Sequence, residues 1–438
     1  MEELMKKCDV LIVGSGAAGL YCALNLPDDV KVTVITKSDA ESSDSFLAQG
    51  GICVLKDMDD YDSYYEDTMK AGHYENDPKS VEIMIKSSAE IIKDLINYGV
   101  DFETDENGEL EYTREGGHSC KRILFHQDIT GKEITRKLLV AARKKENTTI
   151  VEYCNMVDVI EEDNTCYGVL VRNSDGTLEE YYAKFVVWAC GGIGGLFRHS
   201  TNFRHLTGDA LAISMEHGIE LEHINYIQIH PTTLYSRNEE DRSFLISESV
   251  RGEGAKLYNS RYERFVNELL PRDVLTAAIK EQMKKDGSKH VWEDMRTIDR
   301  EELLNHFPNI VQKCKDSGYD VTRECIPVVP AQHYFMGGVK IDYEGRTSMK
   351  RLYSVGEAAC NNVHGRNRLA SNSLLEAIVF AGRAADAIMK EYDAAEIKEV
   401  SSENSKARTM KPEELAKYYK KMILDEIDRI NEVEANNK

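Results

Sequence analysis

Two kinds of apolar pattern alternate along the chain. Residues 9–13 form a continuous apolar run ahead of Gly14, as in a parallel strand buried on both faces. A helix is expected over 17–26 and a second strand over 30–36, which together make a βαβ start. Asp77-Pro78 opens a helical pattern carried by Val81, Met84, Ile85, Ile91, Ile92 and Leu95, and Gly99 sits where that helix would stop. Residues 151–171 and on to 182 alternate apolar and polar positions around Asn173-Ser174-Asp175-Gly176, a strand and turn signature. A further buried strand is expected over 185–189, running into Gly191-Gly192-Ile193-Gly194-Gly195. From about 220 to 333 the pattern changes to short strands and polar helices, which suggests an inserted domain. A buried strand at 352–355 and a long apolar helix at 371–389 then return to the first pattern. After Pro412 one amphipathic helix shows Leu415, Tyr419, Met422, Ile423, Ile427 and Ile430 on one face. The boundaries read from this are 1–219, 220–333, 334–390 completing the first domain, and a tail at 391–438.

With 438 residues, 42% hydrophobic and 30% charged, the chain has the composition of a globular protein of two or three lobes. Its net charge of -21 disfavours nucleic acid and anionic membranes as partners. A small anionic ligand would instead need a local cluster of Arg and His. The ten cysteines include no Cys-x-x-Cys pair, so neither a metal site nor a redox dithiol has support, and buried free thiols are expected. The polar N-terminus and the lack of an apolar run near 20 residues lead to a cytoplasmic expectation.

Gly14-Ser15-Gly16-Ala17-Ala18-Gly19 follows a strand and opens a helix, the setting in which G-x-G-x-x-G receives a pyrophosphate on helix N–H groups. The second strand ends Thr36-Lys37-Ser38, without the acidic residue of a plain NAD site. Two more glycine-rich elements follow, Ser45-Phe46-Leu47-Ala48-Gln49-Gly50-Gly51 and Ser354-Val355-Gly356-Glu357-Ala358. With these the chain resembles the flavoprotein family of fumarate reductase, succinate dehydrogenase and L-aspartate oxidase over roughly residues 8–389.

The resemblance implies an α/β fold: a Rossmann-like FAD-binding domain, an inserted α+β capping domain and a short helical tail. It implies that FAD contacts Gly14, Ser15, Gly16, Ala17, Ala18, Gly19, Lys37, Asp44, Ser45, Phe46, Leu47, Ala48, Gln49, Gly50, Gly51, Asp209, Glu357, Ser373 and Leu374, with Glu357 on the ribose. Membrane-bound members of the family resemble one another in attaching FAD to a His where this chain has Asp44. An Asp cannot form that bond, so non-covalent FAD is expected. Ser373-Leu374-Leu375-Glu376 has capping-box spacing, and in the family this helix N-terminus faces the flavin, where negative charge develops on reduction.

Five further motifs come in the family's order: residues 228–232, 247–255, 271–273, 333–338 and 364–373. A four-carbon dianion needs a donor cluster for each carboxylate. By resemblance, His230 and Ser247 would hold one, and His333 and Arg368 the other, with Ser371 beside them. Arg272 is carried over as proton donor; acting as base would require a relay through Glu248 or Glu253, since guanidinium holds its protons. Arg251 and Glu253 are expected to form a structural ion pair, and Arg366 to add a cation beside the site.

The discriminating residue is Glu115, in Thr113-Arg114-Glu115-Gly116-Gly117-His118-Ser119. This run resembles the aspartate-oxidising branch, where the acid faces the substrate ammonium; alone, a loop Glu is more often a solvated residue. The resemblance thus implies oxidation of L-aspartate to iminoaspartate, with oxygen or fumarate as acceptor, at the first step of quinolinate and NAD synthesis. The product would pass to quinolinate synthase. Rival expectations are a soluble fumarate reductase and a catalytically silent FAD-binding protein.

Overall fold

The computed structural model describes residues 6–236 and 242–436. Its largest sheet has seven strands. Lys6–Val13 lies between Val32–Ile35 and Leu178–Trp188, parallel to both, and Thr148–Val151 extends the parallel edge beyond Val32–Ile35. All four residues of Val32–Ile35 are buried, which explains its unbroken apolar composition. Helix Ala17–Asn25 buries eight of its nine residues and packs against Asn372–Glu391, the long C-terminal apolar helix. That helix buries thirteen residues, and each fully buried Leu, Ile or Phe side chain contributes roughly 1.5–3 kcal/mol to stability.

Residues 178–182 and 185–189, read as separate strands, form one strand, Leu178–Trp188. It changes partners midway. Its first half pairs antiparallel with Thr165–Asn173, itself antiparallel to Cys154–Glu162, while its second half pairs parallel with Leu352–Ser354. The break in apolar pattern marks this change of neighbours, not a change of element.

A second, four-stranded antiparallel sheet runs in the order Ile227–Leu234, Ile326–Phe335, Val291–Asp294, Lys256–Tyr258. With Arg272–Asp286 and Pro308–Asp316 it encloses its own apolar cluster, from Leu234 through Leu275 and Ile310 to Val328. Helix Pro412–Asn436 buries Leu415, Tyr419, Ile423 and Ile427. These side chains join the cluster that also holds Leu211 and Ile213 of helix Asp209–His217. All ten cysteines are free and eight are buried. Among the described residues no helix is long and apolar enough to cross a membrane.

Candidate functional site

One long cavity of about 1570 Å³, counting its mouth, runs from the first glycine turn to the junction of the two sheets. At its first end, Gly14 has φ of 119°, and a Cβ there would lie 2.1 Å from the Ala189 carbonyl oxygen. A Cβ on Gly19 would lie 2.1 Å from the Gly14 oxygen, so the two glycines let the helix start sit directly on the strand. The Ala17 N–H donates to Ser45 Oγ (3.2 Å), which ties this turn to the second glycine-rich element. Ser15 turns inward instead: its hydroxyl donates to the Ala40 carbonyl at 3.0 Å.

Lys37 and Asp209 both line the cavity and pair with each other at 2.8 Å. Asp44 accepts the Phe203 N–H through Oδ1 (2.9 Å). Among the described residues its Oδ2 has no hydrogen-bond partner, nor do Ser43 Oγ and Gln49 Oε1, and all three residues border the same space. Desolvation pushes the Asp44 carboxyl up to about 7 against the Phe203 N–H and the Arg242 charge. Glu357 accepts the Phe335 N–H (3.0 Å), and desolvation followed by the Asp44 charge holds it well above the usual carboxylate range. Helix Asn372–Glu391 places Ser373 and Leu374 of its first turn on the cavity wall. Two helix N-termini, a backbone cradle that no side chain could share, and unpartnered oxygens suit a ligand that carries both a pyrophosphate and hydroxyl groups, as FAD does. Of the expected FAD contacts, Ala17, Gly19 and Phe46 do not line the cavity; Phe46 packs under the Lys132 ammonium, 5.8 Å from its ring.

At the far end the substrate candidates converge. His230 and His333 meet edge to face, with centroids 5.1 Å apart. Desolvation, then the Arg272 charge, holds both imidazoles well below their usual pKa, so they are neutral. His230 Nε2 has no hydrogen-bond partner among the described residues, while His333 Nδ1 shares a hydrogen bond with Thr201 Oγ1 at 2.8 Å. Arg272 donates from Nε to Glu248 Oε2 (2.6 Å) and from Nη1 to Gln228 Oε1 (2.8 Å). Burial opposes ionisation of Glu248, but the Arg272 and Arg251 charges bring its pKa below the usual value. Arg368 donates to Ser373 Oγ (3.0 Å) and stacks 4.5 Å from the Tyr334 ring centre; its Nε has no hydrogen-bond partner among the described residues. Desolvation and the neighbouring Arg272 charge lower it to about 10. Glu115 is 4% exposed, not a solvated loop residue, and it accepts from Ser249 Oγ (2.8 Å) and Ser371 Oγ (2.5 Å).

Three expectations are corrected. Arg251 does not pair with Glu253: it bonds Thr232 Oγ1 and the Glu268 carbonyl, while Glu253 pairs with His306 at 3.0 Å, so Glu248 alone of the two acids touches Arg272. Arg366 does not approach the substrate end. It bonds Glu434 of the last helix, lies 3.7 Å from Glu75 and stacks on Tyr226. The expected capping box does not form: the residue at the helix start is Ser371, in the left-handed region with φ of 61°, and Glu376 takes its hydrogen bond from Asn361. Sequence reasoning gave no role to Gln228, which also donates to the Arg368 carbonyl at 2.8 Å and so joins the two arginine segments. Its position two residues before His230 on one strand was the available signal. Ser249 and Arg242 carried no such signal.

The FAD binding domain family matches residues 9–374. An L-aspartate oxidase of Clostridium perfringens is 48% identical over 430 residues, covering 98% of this chain and 96% of that protein. One from Acinetobacter baylyi is 37% identical, covering 88% of this chain and 73% of the relative. Among solved structures, an E. coli quinol fumarate reductase flavoprotein superposes with a TM-score of 0.85 at 27% identity, covering 92% of this chain and 74% of the other. Mycobacterium smegmatis Sdh1 gives 0.79 at 26% identity, with 99% and 81% covered. The cofactor is FAD, and the chain belongs to the flavoprotein family of fumarate reductase and succinate dehydrogenase, and within it to the L-aspartate oxidases.

Proposed function

We propose that the chain oxidises L-aspartate to iminoaspartate and passes the electrons to oxygen or fumarate, as the first step of quinolinate and NAD synthesis, with quinolinate synthase receiving the product. The observation that carries this reading is Glu115, a buried acid at the same cavity end as two arginines and two neutral histidines. FAD, when bound, supplies the two-electron acceptor. In this reading His230 and Ser247 donate to one carboxylate and His333 and Arg368 to the other, while Glu115 meets the ammonium. Glu248 fixes the Arg272 guanidinium through Nε and Gln228 through Nη1, which leaves Nη2 to deliver a proton when fumarate is the substrate. The Arg272–Glu248 pair is neutral, so Arg368 and Glu115 set the local balance. Succinate would add two negative charges to a water-poor cavity, whereas aspartate adds one. The separate apolar cluster of the antiparallel sheet supports a division into an FAD-binding domain (1–219 and 334–390), a capping domain (220–333) and a tail (391–438).

Glu115→Gln tests the reading. It keeps size and removes charge, so kcat/KM for L-aspartate should fall, by the equivalent of about 2 to 5 kcal/mol. That for fumarate should hold or rise. Equal decline for both substrates would reduce Glu115 to a loop support and favour a soluble fumarate reductase.

A further inference from the structure

We infer that Ser249 is a specificity-determining residue: together with Ser371, its hydroxyl holds Glu115 as an oriented carboxylate acceptor for an α-ammonium, so that it favours amine-bearing dicarboxylates over amine-free ones. The inference rests on the reading that Glu115 meets the substrate amine. Three separate segments build the arrangement. Glu115 comes from the loop at 113–119, Ser249 from helix Glu248–Gly252 and Ser371 from the start of Asn372–Glu391. Each carboxylate oxygen receives one hydroxyl. Ser249 Oγ also accepts from Ser247 Oγ at 3.2 Å. A hydroxyl has one proton to give, so the Ser249 proton is directed at Glu115. An acid serving as acceptor at both oxygens is a carboxylate, and each oxygen keeps a free lone pair for a further N–H donor.

The acid is also locked in place. A Cβ on Gly50 would fall 2.4 Å from Glu115 Oε1, so the carboxylate rests on bare backbone. Its loop is pinned through His118, whose Nδ1 accepts from Arg122 Nη1 (3.0 Å) and whose Nε2 therefore carries the proton toward the Ala370 carbonyl (3.0 Å). Arg122 is itself held by Asp60 and Asp67. The groups facing Glu115 are Glu248, Arg272, Arg368 and the Cys53 thiol. Burial and the Glu248 charge push Glu115 toward its protonated form, while the Ser371 hydroxyl, Arg272 and the Ser249 hydroxyl oppose this. A protonated Glu115 could not pair an ammonium. Loss of the Ser249 hydroxyl therefore acts on Glu115, and it leaves the Ser247 hydroxyl free to turn to the substrate carboxylate.

The test is the pH profile of kcat/KM for L-aspartate and for fumarate, on FAD-loaded wild type, Ser249→Ala, Ser249→Cys and Ser249→Thr. Ser249→Ala should move the acid limb for aspartate upward by about one pH unit and raise its KM several-fold at neutral pH. Fumarate kinetics should stay within about two-fold, because no charged donor to its carboxylates is lost. Ser249→Thr should restore the wild-type limb, and Ser249→Cys, with a weak donor of similar size, should shift it in the same direction as Ala. If the Ala variant loses FAD, the Cys variant is judged by the same criteria. An unmoved acid limb, or aspartate and fumarate declining together, overturns the inference. Wild-type enzyme inactive on aspartate would overturn the underlying reading instead; an aspartate-active wild type that responds to Glu115→Gln but not to Ser249→Ala overturns this inference alone.

Discussion

At the residue scale the molecule keeps several acids in places that favour their neutral form, and these need different explanations. Asp44 and Glu357 border the cofactor cavity, but Glu293 does not. It is 0% exposed on strand Val291–Asp294, and neither of its oxygens has a hydrogen-bond partner among the described residues. Desolvation raises its pKa from 4.5 to about 7, against the attraction of Arg251. The folded state thus binds a proton that the unfolded state releases between those two values, and folding stability falls as pH rises through that window. Glu293→Gln removes the ionisation, so its advantage over wild type should grow from pH 5 to pH 8, by up to about 3 kcal/mol. Thermal unfolding at the two pH values checks this; a constant difference would mean that Glu293 does not titrate there. The family resemblance singled out His230, Arg272, His333 and Arg368, and the fold brings all four to the wall of one cavity. Partner choice was not legible in the same way. Arg251 in a short helix and Glu253 just past its end are two residues apart, which turns their side chains to different neighbours, Thr232 and His306.

At the element scale the glycine turn is tightly constrained. Gly19→Ala puts a methyl group 2.1 Å from a backbone oxygen that belongs to the strand end itself, so helix Ala17–Asn25 must move away from the turn. The variant should purify with little bound FAD and a lowered Tm; a full complement of flavin, by the absorbance ratio at 450 and 280 nm as about that of wild type, would contradict the geometry. This turn was legible because strand, glycine spacing and helix all pointed the same way. The capping box was not, since its spacing is common and the chain reaches this helix through a left-handed Ser371 committed to Glu115. Leu178–Trp188 was split in two by its pattern because burial follows neighbours, and its neighbours change halfway.

At the scale of the whole molecule, a chain of net charge -21 gathers Arg272, Arg368, His230 and His333 at one cavity end, where local chemistry overrides the overall field. The segments that do this lie far apart in sequence: the first fifty residues, the loop at 115, the antiparallel sheet and the loop before the last apolar helix. Their order could be read in advance, but their convergence on Glu115 through Ser249 and Ser371 required the fold. This convergence selects an amine-bearing dicarboxylate for flavin reduction in the proposed function. The most direct measurement is anaerobic mixing of the FAD-loaded enzyme with L-aspartate or with succinate, followed by flavin absorbance. Rapid bleaching by L-aspartate and little or none by succinate is the predicted result. Bleaching by succinate at a rate equal to that of aspartate, or no bleaching by aspartate, would contradict the account.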